Sequence, residues 1–484
     1  MRKLISIGLV LILCKSFYGQ SVDTTFILVL GGVNKEEPVD IFELDSSHAL
    51  LVANTGSFGA GGADLYFAKV STNAEVDTSW TWGGATQDHA IQSIKIASTI
   101  YTLGYRNSFD NPDYKYFLLA MDKEGDVQWT SILEEYSAEH SYSIGKLNGQ
   151  PIVLHCDESL MTMSEIGTNT SLEQLESWQF PNPLQVSHVT TFDSVVYVSS
   201  IHGAEGEQRI VLSRLERAGT WDTLVVRSED FYAVSNPIAV VSDSGDVSLL
   251  FNSLEHPDSV WNINLVGYDQ QLNMKWEASY HKPMSDYVRD AIFNEAGEIA
   301  FVGFINSFGE NGDFAFARYD SSGTYLDLRT LGGLDVDQGM CLIENANGGY
   351  WLFGQTEGFG SQMGDLLVYY TNAAGITSSN AYIRVVDQIQ LQTGVDQTLR
   401  SLRGFPFPNP LKSGEPLSIL TEDIGIERID FYDVLGRKLW EKKFHRVEGG
   451  IEVDTERIGA GTYYLVLFSK SGEKSDAIRI VIHE

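Results

Sequence analysis

The sequence predicts an all-β chain: a seven-bladed β-propeller followed by a small Ig-like β-sandwich. Three observations predict it. A motif returns with a period near 51 residues between residues 25 and 386. Inside each period, short apolar runs alternate with turns rich in Gly, Asn and Asp. The segment 405–484 shows strands and Gly turns again, on a different pattern.

The period is read from marker residues. Ser57-Phe58-Gly59 leads to Asp64, Asn306-Ser307-Phe308-Gly309 to Asp313, and Gly358-Phe359-Gly360 to Asp365. A weaker copy, Asn107-Ser108-Phe109, leads to Asp113. Phe58 and Phe109 are 51 apart, and so are Phe308 and Phe359. The 199 residues between Phe109 and Phe308 leave room for three degenerate units, placed near 140–183, 185–227 and 234–282. Gly83-Gly84 and Gly332-Gly333, 249 residues apart, keep the same step.

Each unit reads as three to four strands. Apolar runs of four to six residues meet turns such as Asp122 to Gly125 and Asp320 to Gly323. Gly supplies positive φ there, and Asp bonds the local backbone. Three to four strands in about 50 residues is the size of a propeller blade. A blade buries its faces only against neighbours, so the ring must close. Residues 25–30 precede Gly31-Gly32 and look like an outer strand for the last blade. Residues 381–386 compete for that slot, and both fit only if one adds at the edge. Trp80, Trp129 and Trp276 are read as packing between blades rather than sugar platforms. These repeats resemble those of exported Bacteroidota proteins that are taken to form propellers.

The chain opens Met1-Arg2-Lys3, continues with an apolar run from Leu4 to Leu13, and turns polar through Gln20. That is the pattern of a secretory signal peptide over 1–20. The run is too short to span a bilayer, and no later segment approaches the necessary length. Leu11, Ile12 and Leu13 precede Cys14, where a lipobox needs a small residue. The expected mature protein is therefore secreted or held at the outer-membrane surface, without a transmembrane span.

Formal charge is −32, and loss of Arg2, Lys3 and Lys15 takes it to −35. Residues 405–484 hold only −3 of this, so the acidity lies in the repeats. An acidic surface repels phosphate backbones and argues against nucleic acid. Cys156 and Cys341, far apart in sequence, make no disulfide framework or metal cluster.

After a polar linker, 387–404, comes Pro408-Asn409-Pro410. It is followed by Asp433-Val434-Leu435-Gly436-Arg437 and then Gly461-Thr462-Tyr463. In this order at a chain end, the motifs resemble the type A C-terminal sorting domain of type IX secretion cargo. The resemblance covers 405–484 and implies passage through the type IX translocon as partner. The ending Ile482-His483-Glu484 departs from the basic terminus more usual in that family.

The sequence offers no catalytic, cofactor-binding or metal-binding motif. His155 and Cys156 are adjacent, so on a strand they face opposite ways. Asp64, Asp113, Asp313 and Asp365, with Asp88 and Asp337 after the Gly-Gly pairs, are read as turn-fixing carboxylates. Calcium would need several oxygens at fixed spacing, and no Asp-x-Asp-x-Asp loop exists. The expectation is a binding module for an extracellular glycan or protein. A polysaccharide hydrolase or lyase on the same scaffold, or a structural component of a surface assembly, are the alternatives.

Overall fold

A computed structural model describes residues 25–386 except 60–61, 85, 108–113, 136–139, 158–159, 167–171, 180–183, 205, 217–222, 225–230, 257–258, 281–283, 307–311, 333–334, 360–362 and 378–381. Toward the C terminus it describes 405–407, 411–412, 417–420, 426–433, 437–443, 451–453, 455, 458–469 and 478–483. The segment 1–20, the linker 387–404, Phe109, Asp113, Phe308, Pro408, Asn409, Pro410 and Gly436 lie outside the described residues.

The described residues are all-β, and helix is absent among them. Six antiparallel four-stranded sheets follow in order over residues 36–82, 88–135, 140–179, 184–224, 233–280 and 286–331. The degenerate units therefore also carry four strands each. The first strands are Glu36–Asp45, Asp88–Ile96, His140–Leu147, Leu184–Phe192, Ala233–Val241 and Asp286–Phe293. A seventh sheet begins with Asp337–Glu344. Each first strand packs on the first strand of the next sheet, and Asp337–Glu344 returns to Glu36–Asp45. The sheets thus form a closed, propeller-like cycle.

The seventh sheet makes the closure. Phe26–Gly31 pairs antiparallel with Asp365–Thr371, Leu28 opposite Val368. Tyr382–Val386 then adds parallel to Phe26–Gly31 at the edge, Ile383 opposite Leu28. Both candidate closing strands are used, and this sheet has five strands.

Sequence texture follows position. Middle strands are covered on both faces and read as unbroken apolar runs, as in His48–Thr55 and Asp365–Thr371. Outermost strands alternate, as in Met274–Tyr280. The core lies between sheets: Leu50, Val52, Leu65 and Phe67 of the first pack with Ala90, Ile100, Phe117 and Leu119 of the second. The tryptophans bridge sheets. A side chain at Gly125, where φ is +94°, would meet the Trp80 ring. Trp276 Nε1 donates to Ser321 O across the fifth and sixth sheets (2.9 Å).

Every junction carries a side-chain tether to the neighbouring sheet's backbone. Asp40 Oδ2 accepts from Ser93 N (3.3 Å), and Gln92 Oε1 from Ile144 N (3.0 Å). Ser141 Oγ accepts from Val186 N (3.1 Å), and Ser199 Oγ donates to Pro237 O (2.5 Å). Asn252 Oδ1 accepts from Val288 N (2.7 Å) and its Nδ2 donates to Val288 O (3.1 Å). Asp290 Oδ2 accepts from Leu342 N (3.0 Å), and Cys341 Sγ donates to Val39 O (3.1 Å).

At the C terminus, Phe405–Phe407, Leu417–Leu420 and Ile451–Val453 form a three-stranded sheet. A five-stranded sheet runs Leu411–Lys412, Ile478–His483, Gly461–Ser469, Ile426–Asp433, Lys438–Lys443. The two share a core that includes Leu417, Val453, Ile429, Phe431, Leu465 and Ile480.

Asn252 is fully buried and imitates a rung of β-ladder. Asn252→Ala leaves a buried N–H and C=O without this partner, at a cost on the order of 3 kcal/mol in urea unfolding. A loss below about 1 kcal/mol would show that the junction does not depend on this amide.

Candidate functional site

Antiparallel order fixes what each face of the cycle carries. Connections from fourth to first strands share one face with those from second to third strands. The other two turn types share the opposite face. The Gly-Gly pairs and Phe-Gly turns therefore fall together on what is here called the loop face.

The opposite face is locked locally. Asp122 Oδ1 accepts from the amides of Glu124 (3.0 Å) and Asp126 (2.9 Å). Asp320 does the same for Ser322 and Thr324 (2.9 Å each), and Asp269 for Gln271 and Asn273. Side-chain hydrogen bonds from Asn273 and Ser322, helped by these amides, hold Asp269 and Asp320 below the usual carboxylate range.

On the loop face the repeated carboxylates sink into the structure. Asp64, Asp88, Asp337 and Asp365 are buried, while Asp313 is half-buried. A Cβ on Gly83 would run into the Asp64 carboxylate, and one on Gly31 into that of Asp365. The second glycine of two pairs is bonded as well: Gly84 N donates to Asp88 Oδ2 (2.8 Å), and Gly32 N to Glu36 Oε2 (3.3 Å). The carboxylates thus clasp the crossing from one sheet to the next. Glu36, which the repeat pattern did not reveal, occupies the first-strand place of Asp88. Burial pushes its carboxyl up to about 7, with help from the Asp365 charge and against hydrogen bonds from Ser57, Gly32 and Thr55.

A polar and aromatic group sits where the first two sheets meet. His89 Nε2 lies 3.7 Å from Glu37 Oε2 and 3.1 Å from Asn54 Nδ2. The His89 ring stacks on Tyr105 (5.0 Å), and Tyr105 meets Tyr114 edge-on (5.6 Å). Burial lowers the His89 pKa, with Glu37 opposing and Lys35 adding. The imidazole is therefore neutral at pH 7, able to take a proton.

The loop face also exposes large apolar side chains. Val33 is 82% exposed, Met363 57% and Met284 51%. Each belongs to a connection between strands, where nothing in the fold requires an apolar residue.

Along the inner strands Asp40, Asp290 and Cys341 influence one another. Burial pushes Asp290 up to about 6; burial and then the Asp290 charge push Asp40 well up. Burial, then these two carboxylates, raise the Cys341 thiol. Both carboxylates accept backbone N–H groups, which marks them as tethers. Cys156 is buried, and its thiol is pushed up to about 12 by burial. His155 stacks instead on Tyr142 (4.4 Å). Among the described residues, no group of three or more His, Cys, Asp or Glu is placed to hold a metal ion. No helix there is long and apolar enough to cross a membrane.

In the C-terminal unit Asp433, Arg437 and Tyr463 meet at one sheet end. Asp433 stands opposite Tyr463 in register. Asp433 Oδ1 accepts from Arg437 N (2.9 Å), and Oδ2 from Arg437 Nε (2.6 Å). Gly461 opens the strand that carries Tyr463, whose hydroxyl donates to Gly459 O (2.8 Å) while its ring stacks on Phe431 (5.3 Å).

No protein-family model matches the chain, and no curated protein matches it in sequence. Among solved structures it is similar to an ulvan lyase of polysaccharide lyase family PL25, at 9% identity and a TM-score of 0.47. That match covers 71% of this chain and 96% of the other. A copper-bound fungal alcohol oxidase of the AA5 family is similar at 11% identity and a TM-score of 0.44, over 95% of this chain and 98% of that one. A protein of unknown function from Bacteroides caccae is similar at 12% identity and a TM-score of 0.35, over 59% and 94%. At such values the activities of these proteins do not transfer.

Two outcomes are expected. Folded Glu36 keeps its proton to about pH 7, whereas an unfolded Glu loses it near its ordinary value of about 4.3. Its contribution is then full below that value and is lost as pH rises to 7. Glu36→Gln cannot ionise, so its Tm should gain on wild type between pH 4.5 and 7 and hold that gain above; a constant difference would contradict the burial argument. Cys156 and Cys341 should resist a thiol reagent at pH 8 until the chain is unfolded. Labelling of the native protein within minutes would contradict the placement of both.

Proposed function

We propose that this chain is an exported type IX secretion cargo whose seven sheets are the blades of a seven-bladed β-propeller. In this reading 1–20 is a signal peptide, 387–404 a linker, and 405–484 an Ig-like β-sandwich serving as sorting domain. The propeller, 21–386, acts as a binding module for an extracellular glycan or protein at the cell surface. The observation that carries the binding role is the loop face. Its connections expose Val33 and Met363 by the first sheet, near the Tyr105–Tyr114 pair of the second, and Met284 between the fifth and sixth, on a scaffold held at every junction. Exposed apolar side chains grouped on one face mark interaction surfaces.

A second reading is an enzyme that cuts a polysaccharide, drawn from Glu37 and His89. A neutral imidazole near a carboxylate can act as a general base. A thermal-shift screen of the full chain against glycans, followed by incubation of each hit, separates the two. A stabilising glycan recovered intact supports the binding module. Cleavage that His89→Ala abolishes supports the enzyme.

The sorting role is tested in a host with a type IX apparatus. Deleting 405–484 should leave the chain in the periplasm, and Asp433→Ala, which opens the Arg437 turn, should reduce surface delivery. Unchanged delivery of the deletion would remove the sorting role.

A further inference from the structure

Away from the loop face, a cleft of about 530 Å³ opens between the outer strands of the fifth and sixth sheets. It is lined by Ala278, Ser279 and Tyr280 from one side, and by Tyr319, Gly323, Tyr325 and Leu328 from the other. It is a shallow groove, open to solvent along its outer side. Beneath it Ile263 and Ala317 close the floor.

Tyr325 stands where three other described sheets carry an aliphatic residue. The residue two places after the turn-closing position is Val76 in the first sheet, Val127 in the second and Met274 in the fifth. In the sixth it is Tyr325. Tyr325 is 52% exposed and is braced edge-on by Tyr319, with ring centroids 5.7 Å apart. A ring held by a neighbour and open on one side is a platform. Gly323 keeps the entrance clear: its φ is +81°, and any Cβ there would strike the Trp276 ring.

The polar character is equally defined. None of the seven lining residues carries a charge. Burial pushes the Tyr280 and Tyr319 phenols up to about 12, so both are neutral hydroxyls at any physiological pH. The Asp286 carboxylate lies close enough to Tyr280 to raise its pKa further, which sets a negative field at the inner end. An anionic ligand is disfavoured there. A ligand that fits presents an apolar face to the Tyr325 ring and a neutral hydroxyl to the Tyr319 phenol.

We propose that this cleft is a subsite for one neutral sugar residue of a glycan chain, with Tyr325 as stacking platform and the Tyr319 hydroxyl as polar partner. It rests on the reading that the cycle of sheets binds a glycan, and it names the class.

The test uses the full-length chain and calorimetric titration with cello-, laminari-, xylo- and mannohexaose, alongside oligoalginate as anionic probe. At least one neutral hexaose is expected to bind, and oligoalginate is not. Tyr325→Ala should weaken that binding about tenfold, the scale of one aromatic stacking contact. Tyr325→Phe, which keeps the platform, should not. Ala278→Trp, which fills the cleft, should abolish binding, and Tm checks that each variant folds. Neutral glycan binding that survives both Tyr325→Ala and Ala278→Trp would overturn the cleft while leaving the glycan-binding reading intact. Preference for oligoalginate would overturn the charge argument. Failure of wild type to bind any probe would remove glycan binding and the cleft together.

Discussion

Closure of the cycle is the constraint on which everything else depends. Each four-stranded sheet buries its faces only against its neighbours. One missing junction would expose two faces at once. The chain solves this by placing its first described strand, Phe26–Gly31, inside its last sheet, between Asp365–Thr371 and Tyr382–Val386. Leu28, Val29 and Leu30 are almost wholly buried there, so the two ends of the domain become one hydrophobic layer. The tethers do the same work at shorter range. Asp40, Gln92, Ser141, Ser199, Asn252, Asp290 and Cys341 each bond across one junction.

The tethers also explain why buried acids need not signal catalysis. Asp40 and Asp290 have raised pKa values and influence each other, a pattern often met at active sites. Yet each accepts backbone amides on its own strand and on the next sheet, which is structural work. Glu36 and Asp88 hold the glycine crossings in the same manner. What remains for function is the surface laid over this frame: the loop-face side chains and the tyrosine cleft.

Much of the frame was legible because glycine and aspartate depend on each other. Gly31 and Gly83 have no room for a side chain beside Asp365 and Asp64, so sequence kept both partners and the period showed. Between residues 140 and 280 no Gly-Gly pair precedes a first strand, and the period faded. The tethers were not legible at all. Asp40, Gln92, Asp290 and Cys341 occupy matching places on inner strands, but their side chains share no chemistry that a motif would preserve. The edge strand was legible as a strand at 381–386, but its parallel pairing was not, since edge pairing uses backbone alone. Among the candidate sites, Glu37 and His89 come from different repeats, and so do Tyr280 and Tyr325. Only folding brings each pair together. In the C-terminal segment, Asp433, Arg437 and Tyr463 stood out in sequence, and they meet at one sheet end.

A binding surface spread over several sheets is only as rigid as the cycle beneath it. Native-state hydrogen exchange tests that dependence most directly. If Phe26–Gly31 closes the cycle, its amides should exchange as slowly as those of Asp365–Thr371 and the first strands, with one shared free energy of opening. Fast exchange of residues 26–31, while the first strands stay protected, would mean that the cycle holds without its closing strand and would contradict the account.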